Sequence, residues 1–156
     1  MTSHEALLSE DMRDLLTIFS RLGVQYLIVG AHAVSAYVEP RATKDLDILL
    51  NTTAENAVRV LAALKEFGAP LAGVTQADFE DPDSFFVVGV KPNRVDLLKS
   101  IPGLDFKEAW AKRKVVVLGT LELVIPCLEH LLAAKLAAGR PQDLLDAEKL
   151  KKVLSV

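Results

Sequence analysis

Three aspartates lie within apolar runs that are typical of β-strands. Asp45 and Asp47 belong to the run 43–50, and Asp96 lies in the run 94–98. Side chains two positions apart on a strand point to the same face of a sheet, so Asp45 and Asp47 are predicted to share a face. Two neighbouring carboxylates repel unless a cation lies between them, and oxygen ligands of this kind suit Mg²⁺ or Mn²⁺. The spacing therefore predicts a cation site where a buried strand of the sheet reaches a cleft.

Asp96 has two interpretations. An acid in the middle of an apolar strand is costly to bury without a partner. If the strand 94–98 neighbours the strand 46–50, Asp96 completes a three-carboxylate cluster able to hold two metal ions about 3.5–4 Å apart. Alternatively, Asp96 faces solvent or pairs with Arg94, two residues earlier. The local pattern leaves both interpretations open.

A second Asp-x-Asp pair, Asp81 and Asp83, shows that the spacing alone is weak. Pro82 separates these two acids, and the surrounding segment is polar. Turn chemistry accounts for them, because Asp and Pro both favour turns. The strand context therefore distinguishes Asp45 and Asp47 from this pair.

The elements that position these acids follow from hydrophobic periodicity and from glycine and proline positions. Helical periods predict helices over 7–22, 31–38, 53–67, 126–138 and 141–154. Short β-prone runs predict strands over 25–29, 46–50, 85–90, 94–98, 115–118 and 121–125. The segment 69–84 is predicted to be a loop that holds a short strand around Val74. This order predicts an α/β (α+β) fold, in which helices flank a mixed β-sheet and a helical pair ends the chain.

Composition limits the class of protein. The chain has 156 residues, is 51% hydrophobic, and carries 18 basic and 21 acidic side chains for a formal net charge of −3. These values predict one domain over 1–156, with an N-terminal helix in 1–23, a core in 24–125 and a helical pair in 126–156. They exclude a disordered chain and disfavour a nucleic-acid partner held mainly by charge.

Cysteine usage and the N-terminus bear on the compartment. The single cysteine, Cys127, allows no internal disulfide and is predicted to be a small core residue. The segment 1–16 has no basic region followed by a continuous apolar stretch, which is the pattern of a signal peptide or membrane anchor. We therefore expect a cytoplasmic protein with no membrane partner.

Charged residues lie on the inward faces of both C-terminal helices. Lys135 is four positions after Leu131 and three after Leu132, and it therefore points with an apolar stripe formed by Leu128, Leu131, Leu132 and Leu136. On the next helix, Asp146 is four positions before Leu150, and Asp143 is one turn earlier. Charges placed on inward stripes need partners. One interpretation is an ion pair between Lys135 and Asp143 or Asp146.

Four segments in this order resemble the DNA polymerase β-like nucleotidyltransferase superfamily. They are an apolar-Gly-Ala turn in 27–33, the string Arg-Ala-Thr-Lys-Asp-Leu-Asp-Ile in 41–48, Arg-Val-Asp-Leu-Leu in 94–98, and the helical segment 128–146. The likeness covers about residues 24–150. Within the superfamily, it is greatest to the minimal nucleotidyltransferases of bacterial abortive-infection and toxin–antitoxin systems, the AbiEii-like group. The resemblance implies the nucleotidyltransferase fold.

The resemblance also implies roles for individual residues. Asp45, Asp47 and Asp96 match the acids that bind the metal ions, of which the third also serves the acceptor hydroxyl, and they are the catalytic and metal-binding residues that it implies. Gly30 and Ala31 match the turn that holds the nucleotide phosphates. Ala31 stands where the family has Gly or Ser, so the backbone N–H remains and a hydroxyl contact is lost.

Four further residues are implied to bind the nucleotide. Arg41 and Thr43 match an arginine and a threonine that precede the metal-binding acids, and a cation at this place helps to neutralise a triphosphate. For the C-terminal helices, the resemblance gives an interpretation besides the ion pair, in which Lys135 reaches the phosphates while Asp146 orients it.

The implied function is metal-dependent transfer of NMP from an NTP to a hydroxyl acceptor. The acceptor is a protein, a tRNA or a small molecule, and the implied setting is a toxin–antitoxin or abortive-infection system with a cognate toxin or antitoxin as partner. The alanine at position 31 favours an alternative function, in which the protein is a non-catalytic antitoxin or regulator of this fold and binds a protein. A third hypothesis is an antibiotic-modifying nucleotidyltransferase.

Overall fold

Four strands form a mixed sheet in the computed structural model, which describes residues 8–39, 45–89 and 93–155. The strands are β1 (Tyr26–Val29), β2 (Leu46–Leu50), β3 (Phe86–Val88) and β4 (Val95–Leu98). Their order across the sheet is β1-β2-β4-β3, with β2 and β4 parallel and the two outer pairs antiparallel. The predicted mixed sheet is confirmed.

Helices pack around this sheet. They are α1 (Glu10–Arg21), α2 (Gly30–Val34), α3 (Ala54–Phe67), α4 (Phe106–Ala111), α5 (Leu128–Ala138) and α6 (Pro141–Leu154), with a 3₁₀ helix at Gln76–Phe79. The helix predicted over 7–22 begins at Glu10, because the Ser9 side chain accepts a hydrogen bond from the backbone N–H of Met12 and caps it. The predicted C-terminal helical pair is confirmed as α5 and α6. No helix in the described ranges is long and apolar enough to span a lipid bilayer.

The two faces of β2 have different environments. Leu46, Ile48 and Leu50 point into the main core, which α1 and α3 share. Leu49 points the other way, into a smaller apolar cluster that contains Val29 and Ala109. Because strand side chains alternate, Asp47 shares this second face with Leu49. The acid is therefore held on the face that the main core does not occupy.

A separate two-stranded antiparallel sheet precedes the C-terminal helices. It consists of β5 (Lys114–Leu118) and β6 (Leu121–Ile125). β6 buries Leu121, Leu123 and Ile125, and the Tyr26 hydroxyl donates to the backbone carbonyl of Glu122 at 3.2 Å. These contacts attach the small sheet to β1. Cys127, which follows β6, is buried and free, as predicted.

Two predicted elements differ in the structure. α2 ends at Val34 rather than at residue 38, because the chain then tightens into turns in which the backbone N–H groups of Ala36 and Tyr37 donate to the carbonyls three residues earlier. The strand predicted around Val74 is wrong, because Val74 lies in a loop before the 3₁₀ helix. Thr75 and Asp78 form a capping box there, which fixes a helical turn.

The apolar stripe predicted for α5 is also partly wrong. Leu136 is 44% exposed, whereas the buried positions of this helix are Leu131, Ala134 and Lys135. Consecutive residues are turned by about 100° around the helix axis, and the buried arc of α5 contains Ala134 and Lys135, so Leu136 lies beyond its edge. The prediction that Lys135 points inward is confirmed.

Candidate active site

Asp47 and Asp96 are direct partners in the parallel pairing of β2 and β4. The residues on either side of Asp96, Val95 and Leu97, are buried in the main core. Alternation therefore places Asp96 on the same face as Asp47. The two carboxyl groups are close enough for Asp96 to disfavour the ionised form of Asp47. The strand 94–98 thus lies beside β2, as one interpretation of the sequence required.

The environment of Asp47 disfavours its charged form. Burial raises the pKa of Asp47, and the charge of the neighbouring Asp96 raises it further. The charge of Asp45 adds to this effect, whereas that of Lys135 opposes it, and the resulting pKa is about 6. The ionised form of Asp47, at the beginning of β2, therefore carries negative charge that its neighbours do not fully compensate.

Asp45 and Arg94 tie the beginnings of the two strands together. Asp45 lies directly before β2, and its Oδ1 accepts a hydrogen bond from the backbone N–H of Arg94 at 3.2 Å. The Arg94 side chain forms an ion pair with Asp96, with Nε 2.8 Å from Oδ1 and Nη2 3.1 Å from Oδ2. Asp96 therefore both neighbours Asp47 and pairs with Arg94, so the two interpretations of the sequence are not exclusive.

The donors at this position suit a divalent cation. Within residues 8–39, 45–89 and 93–155, no set of three or more His, Cys, Asp or Glu side chains is arranged as a metal site. Mg²⁺ needs only one or two protein carboxylates, because water and substrate phosphates complete its shell. The pKa of Asp47 is raised by burial and by the charges of Asp96 and Asp45, and a bound cation would relieve this repulsion. The three-carboxylate site stays a prediction.

Gly30 makes close approach to Asp47 possible. It has φ +68°, a conformation that favours glycine, and a Cβ at this position would lie 2.5 Å from Oδ2 of Asp47. α2 begins at this glycine, Ala31 is half-buried, and His32 is buried. The resemblance assigns Gly30 to the phosphates. The structure adds a second reason for glycine, which is that the Asp47 side chain occupies the space.

Four charged residues connect the C-terminal helices. Lys135 Nζ lies 3.2 Å from Oδ1 of Asp143 and 3.1 Å from Oδ2 of Asp146. Arg140 donates from Nε to Oδ2 of Asp143 at 2.6 Å. Gln142 donates to Asp146 at 3.0 Å. The inter-helix ion pair is therefore present, and it involves both acids.

Burial and pairing act in opposite directions on Asp143. Burial alone would raise its pKa, but hydrogen bonds from Arg140 and Lys135 lower it below the usual value. Lys135, Asp143 and Asp146 are all buried, with Asp146 fully so. Such charges are tolerated because each faces an opposite charge and a hydrogen-bonding partner.

A pocket separates the strand acids from the helical pair. Gly30 and Asp47 line one side, and Lys135, Arg140 and Asp143 line the other. The rest of the wall is mainly apolar and consists of Val29, Leu98, Ile101, Pro102, Leu131, Ala134 and Ala138. The fold thus brings together predicted site residues from three distant segments of the chain. Asp146 lies behind this wall, against Lys135.

The structure adds one residue and leaves two undescribed. Arg140 lines the pocket, although it is not among the site residues predicted from the sequence. A cation three residues before Asp143, at the start of a predicted helix, is the signal that could have found it. Arg41 and Thr43, predicted to bind the nucleotide, lie outside the described residues.

Comparison with solved structures gives the fold a precedent. A proposed nucleotidyltransferase from Thermotoga maritima has a TM-score of 0.63 and 18% identity, with 99% of this chain and 96% of that chain covered. The lincosamide antibiotic adenylyltransferase LnuA, bound to lincomycin, has a TM-score of 0.58 and 15% identity, with 94% and 98% covered.

A third structure, an antigenic nucleotidyltransferase-like protein from Paracoccidioides brasiliensis, has a TM-score of 0.53 and 17% identity, with 95% of this chain and 78% of that chain covered. The sequence matches no protein-family model, and no curated protein matches it. At these identities the likeness establishes the fold. The chain has the nucleotidyltransferase fold, as the resemblance implied.

Proposed function

We propose that this protein is a nucleotidyltransferase that transfers NMP from an NTP to a hydroxyl acceptor. The observation that carries the proposal is the pairing of Asp47 with Asp96 beside a pocket whose opposite wall holds Lys135 and Arg140. One side of the pocket has excess negative charge and suits a divalent cation. The other side offers cations to phosphate groups. The nucleotidyltransferases among the structures of this fold support the same activity.

The strand acids would hold the metal ion. Asp47 and Asp96, with Asp45 beside them, would bind Mg²⁺ or Mn²⁺. Such an ion, when bound, neutralises phosphate charge and assists attack at phosphorus. Arg94 holds the carboxylate of Asp96 in place through its paired contacts. Gly30 leaves room for Asp47 and gives the chain a close approach to the pocket.

The reaction itself is a displacement at the α-phosphorus. The acceptor oxygen forms a bond to this phosphorus, and the bond to pyrophosphate breaks. Asp96 takes the hydroxyl proton, and Lys135, held by Asp143 and Asp146, offsets phosphate charge from the other side of the pocket. Arg41, Thr43 and the backbone of Ala31 are proposed to contact the nucleotide as the resemblance implies.

The acceptor and the biological setting belong to the proposal as well. A protein, a tRNA or a small molecule is the proposed acceptor class, and the last has a precedent in an antibiotic adenylyltransferase of the same fold. The proposed setting is a cytoplasmic toxin–antitoxin or abortive-infection system of the AbiEii-like kind. The second candidate function, a non-catalytic antitoxin or regulator that binds a protein, is favoured by Ala31 in the phosphate turn.

The decisive experiment measures transfer from α-labelled NTP in the presence of Mg²⁺. Protein, tRNA, aminoglycoside and lincosamide acceptors are tested in parallel. We expect Asp47→Asn and Asp96→Asn each to reduce the rate by about 10²- to 10³-fold or more, because the metal-binding charge is lost. Asp83→Asn is the matched control, since Asp83 belongs to the Asp-x-Asp pair of an exposed turn, where its backbone N–H donates to Asp81.

Thermal unfolding checks that each variant is folded. Full activity of Asp47→Asn or Asp96→Asn would contradict the metal assignment. A wild-type protein that no NTP stabilises in the presence of Mg²⁺ would instead favour the non-catalytic regulator, because any bound ligand raises the unfolding temperature.

A further inference from the structure

Arg140 is the most exposed member of the charged group between α5 and α6. Its side chain is 78% exposed, whereas that of its partner Asp143 is 4% exposed. Arg140 directly precedes α6 and lines the pocket that also contains Gly30 and Asp47. It therefore lies at the rim of the pocket, where solvent and a ligand both have access.

The orientation of the Arg140 guanidinium is fixed by two hydrogen bonds. Nε donates to Oδ2 of Asp143 at 2.6 Å, and Nη2 donates to Oδ1 at 3.3 Å. The backbone N–H of Arg140 donates to the same carboxylate at 3.2 Å. Among residues 8–39, 45–89 and 93–155, these bonds use Nε and Nη2 of the guanidinium, and Nη1 stays accessible to a ligand. Most exposed arginines lose side-chain freedom when they bind an anion, but this one is already held in place.

The acid that holds Arg140 is itself fixed from behind. Asp143 accepts a hydrogen bond from Lys135, which is buried and also pairs with Asp146. The two cations and two carboxylates of this group balance one another. Their arrangement places both cations and Asp143 along the pocket, whereas Asp146 is absent from its lining, so the cluster presents one more cation than acid there. A guanidinium presents planar paired donors, a geometry that matches phosphate oxygens.

Arg140 also lies within electrostatic range of Asp47, whose charge contributes to raising the pKa of the guanidinium after the larger effects of Asp143. A ligand with a chain of negative groups that begins at the strand acids would therefore extend toward Arg140. Tripolyphosphate and pyrophosphate have this chemistry.

We infer that Arg140 binds the polyphosphate of the substrate nucleotide and that Asp143 is the residue that positions it. The inference rests on the proposed function and deepens it, since it names the side chain that holds the triphosphate and the departing pyrophosphate. Lys135 and Arg140 then contact the same ligand from neighbouring positions, one at the pocket wall and one at its rim.

The test uses inorganic tripolyphosphate as the probe and needs neither metal nor catalysis. Calorimetric titration is done with EDTA in an Asp47→Asn background, because this change removes a repulsive charge without a bound cation. We expect Arg140→Ala to weaken tripolyphosphate binding about tenfold, the loss typical of one charged hydrogen bond. Arg140→Lys should have an intermediate effect, since it keeps the charge and loses the paired donors.

Lys151→Ala is the matched control. Lys151 is also an exposed cation of α6 and pairs with Glu148 at the same three-residue separation, but it does not line the pocket. Its removal should leave tripolyphosphate affinity unchanged. An Arg140→Ala variant that binds the probe as tightly as Lys151→Ala would overturn the inference, as would a lack of tripolyphosphate binding in the parent protein. A role limited to helix capping would lower the unfolding temperature and leave the affinity unaltered.

Transfer kinetics separate this inference from the proposed function. In an active protein, Arg140→Ala should raise KM for the NTP about tenfold and change kcat less, because the contact is made in the ground state as well. If no acceptor is modified but tripolyphosphate binding depends on Arg140, the phosphate contact stands and the proposed transfer is wrong. If transfer occurs with unchanged KM and unchanged tripolyphosphate affinity, only the role of Arg140 is wrong.

Discussion

Two groups of charged side chains meet at the pocket, one through Asp47 and the other through Lys135, Arg140 and Asp143, and their buried charges are compensated to different extents. The strand acids are Asp45, Asp47 and Asp96, and the helix cluster consists of Lys135, Arg140, Asp143 and Asp146. Burial raises the pKa of a carboxyl in both groups. For Asp47 the neighbouring acids raise it further, whereas for Asp143 the neighbouring cations reverse the effect. The neighbours of an aspartate therefore decide its behaviour, and burial alone does not.

The difference separates a group whose charges balance one another without a ligand from a group whose charges call for a bound cation. The helix cluster contains its own counter-ions, so it holds α5 against α6 without help from outside. Among the described residues, the strand acids are compensated only in part, by Arg94 beside Asp96 and by the charge of Lys135. Like charges held together cost stability, and proteins tolerate that cost mainly where a substrate or ion is bound. The comparison predicts opposite effects when a charge is removed from each group.

The largest effect is expected in the helix cluster. Lys135→Met should destabilise the protein by about 3–5 kcal/mol, because Asp146 and Asp143 then lose the buried cation that pairs with them. Denaturant unfolding at pH 7 measures the change. Lys151→Met, which removes an exposed cation from a pair with Glu148, is the control and should cost less than about 1 kcal/mol. Equal losses of unfolding free energy in the two variants would show that the cluster does not stabilise the helical pair.

Removal of a charge from the strand acids is expected to stabilise the protein rather than to destabilise it. The pKa of Asp47 rises from 3.8 to about 6 on folding, so the folded state binds this proton more tightly than the unfolded state. The contribution of Asp47 to the free energy of unfolding then falls as pH increases from about 4 to about 6, and it stays lower above that range. Asp47→Asn removes this loss and should stabilise the metal-free protein by up to about 3 kcal/mol at pH 8.

At pH 3, where Asp47 is protonated in both states, the variant and the wild type should have equal stability. Denaturant unfolding with EDTA at the two pH values measures the difference, and Asp83→Asn serves as the control at an exposed turn. Addition of Mg²⁺ at pH 8 should raise the unfolding temperature of the wild type more than that of Asp47→Asn. An asparagine variant that is less stable than the wild type at pH 8 would contradict the comparison.

Local sequence patterns were sufficient to predict much of the fold. Period-two alternation placed Leu46 and Ile48 in the core with Asp47 on the opposite face, and helical spacing placed Lys135 inward, as observed. Each of these inferences uses residues within one element. They succeed because the geometry of a single strand or helix determines which side chains share a face.

Contacts between distant segments could not be derived in this way. The register that pairs Asp47 with Asp96 depends on how the chain between β2 and β4 packs, and no local spacing records it. The end of α2 depends on the tighter turns that follow it, and the exposure of Leu136 depends on how α5 packs. The choice between an ion pair and a phosphate contact for Lys135 likewise required the position of α6. The structure shows the ion pair, and the phosphate contact stays a prediction.

The smallest effect is expected at Gly30, the glycine that lies against Asp47. Gly30→Ala combines a strained positive φ with a clash between the new Cβ and Oδ2 of Asp47, at 2.5 Å. Gly68→Ala is the matched control, because Gly68 also has positive φ but a Cβ added there would meet no neighbouring atom within 4 Å. We expect Gly30→Ala to lower the free energy of unfolding by about 1 kcal/mol more than Gly68→Ala does. The loss in Gly68→Ala reports the backbone strain alone.

A double-mutant cycle assigns this excess to Asp47. In an Asp47→Ala background the clash with the carboxylate is gone, so the cost of Gly30→Ala should fall to that of Gly68→Ala. Denaturant unfolding of the four proteins in the cycle, with EDTA present, measures the coupling. A cost that remains unchanged in that background would mean that the turn itself requires glycine. A cost that falls would mean that the strand acids, even before any nucleotide binds, already determine the residue type at the start of α2.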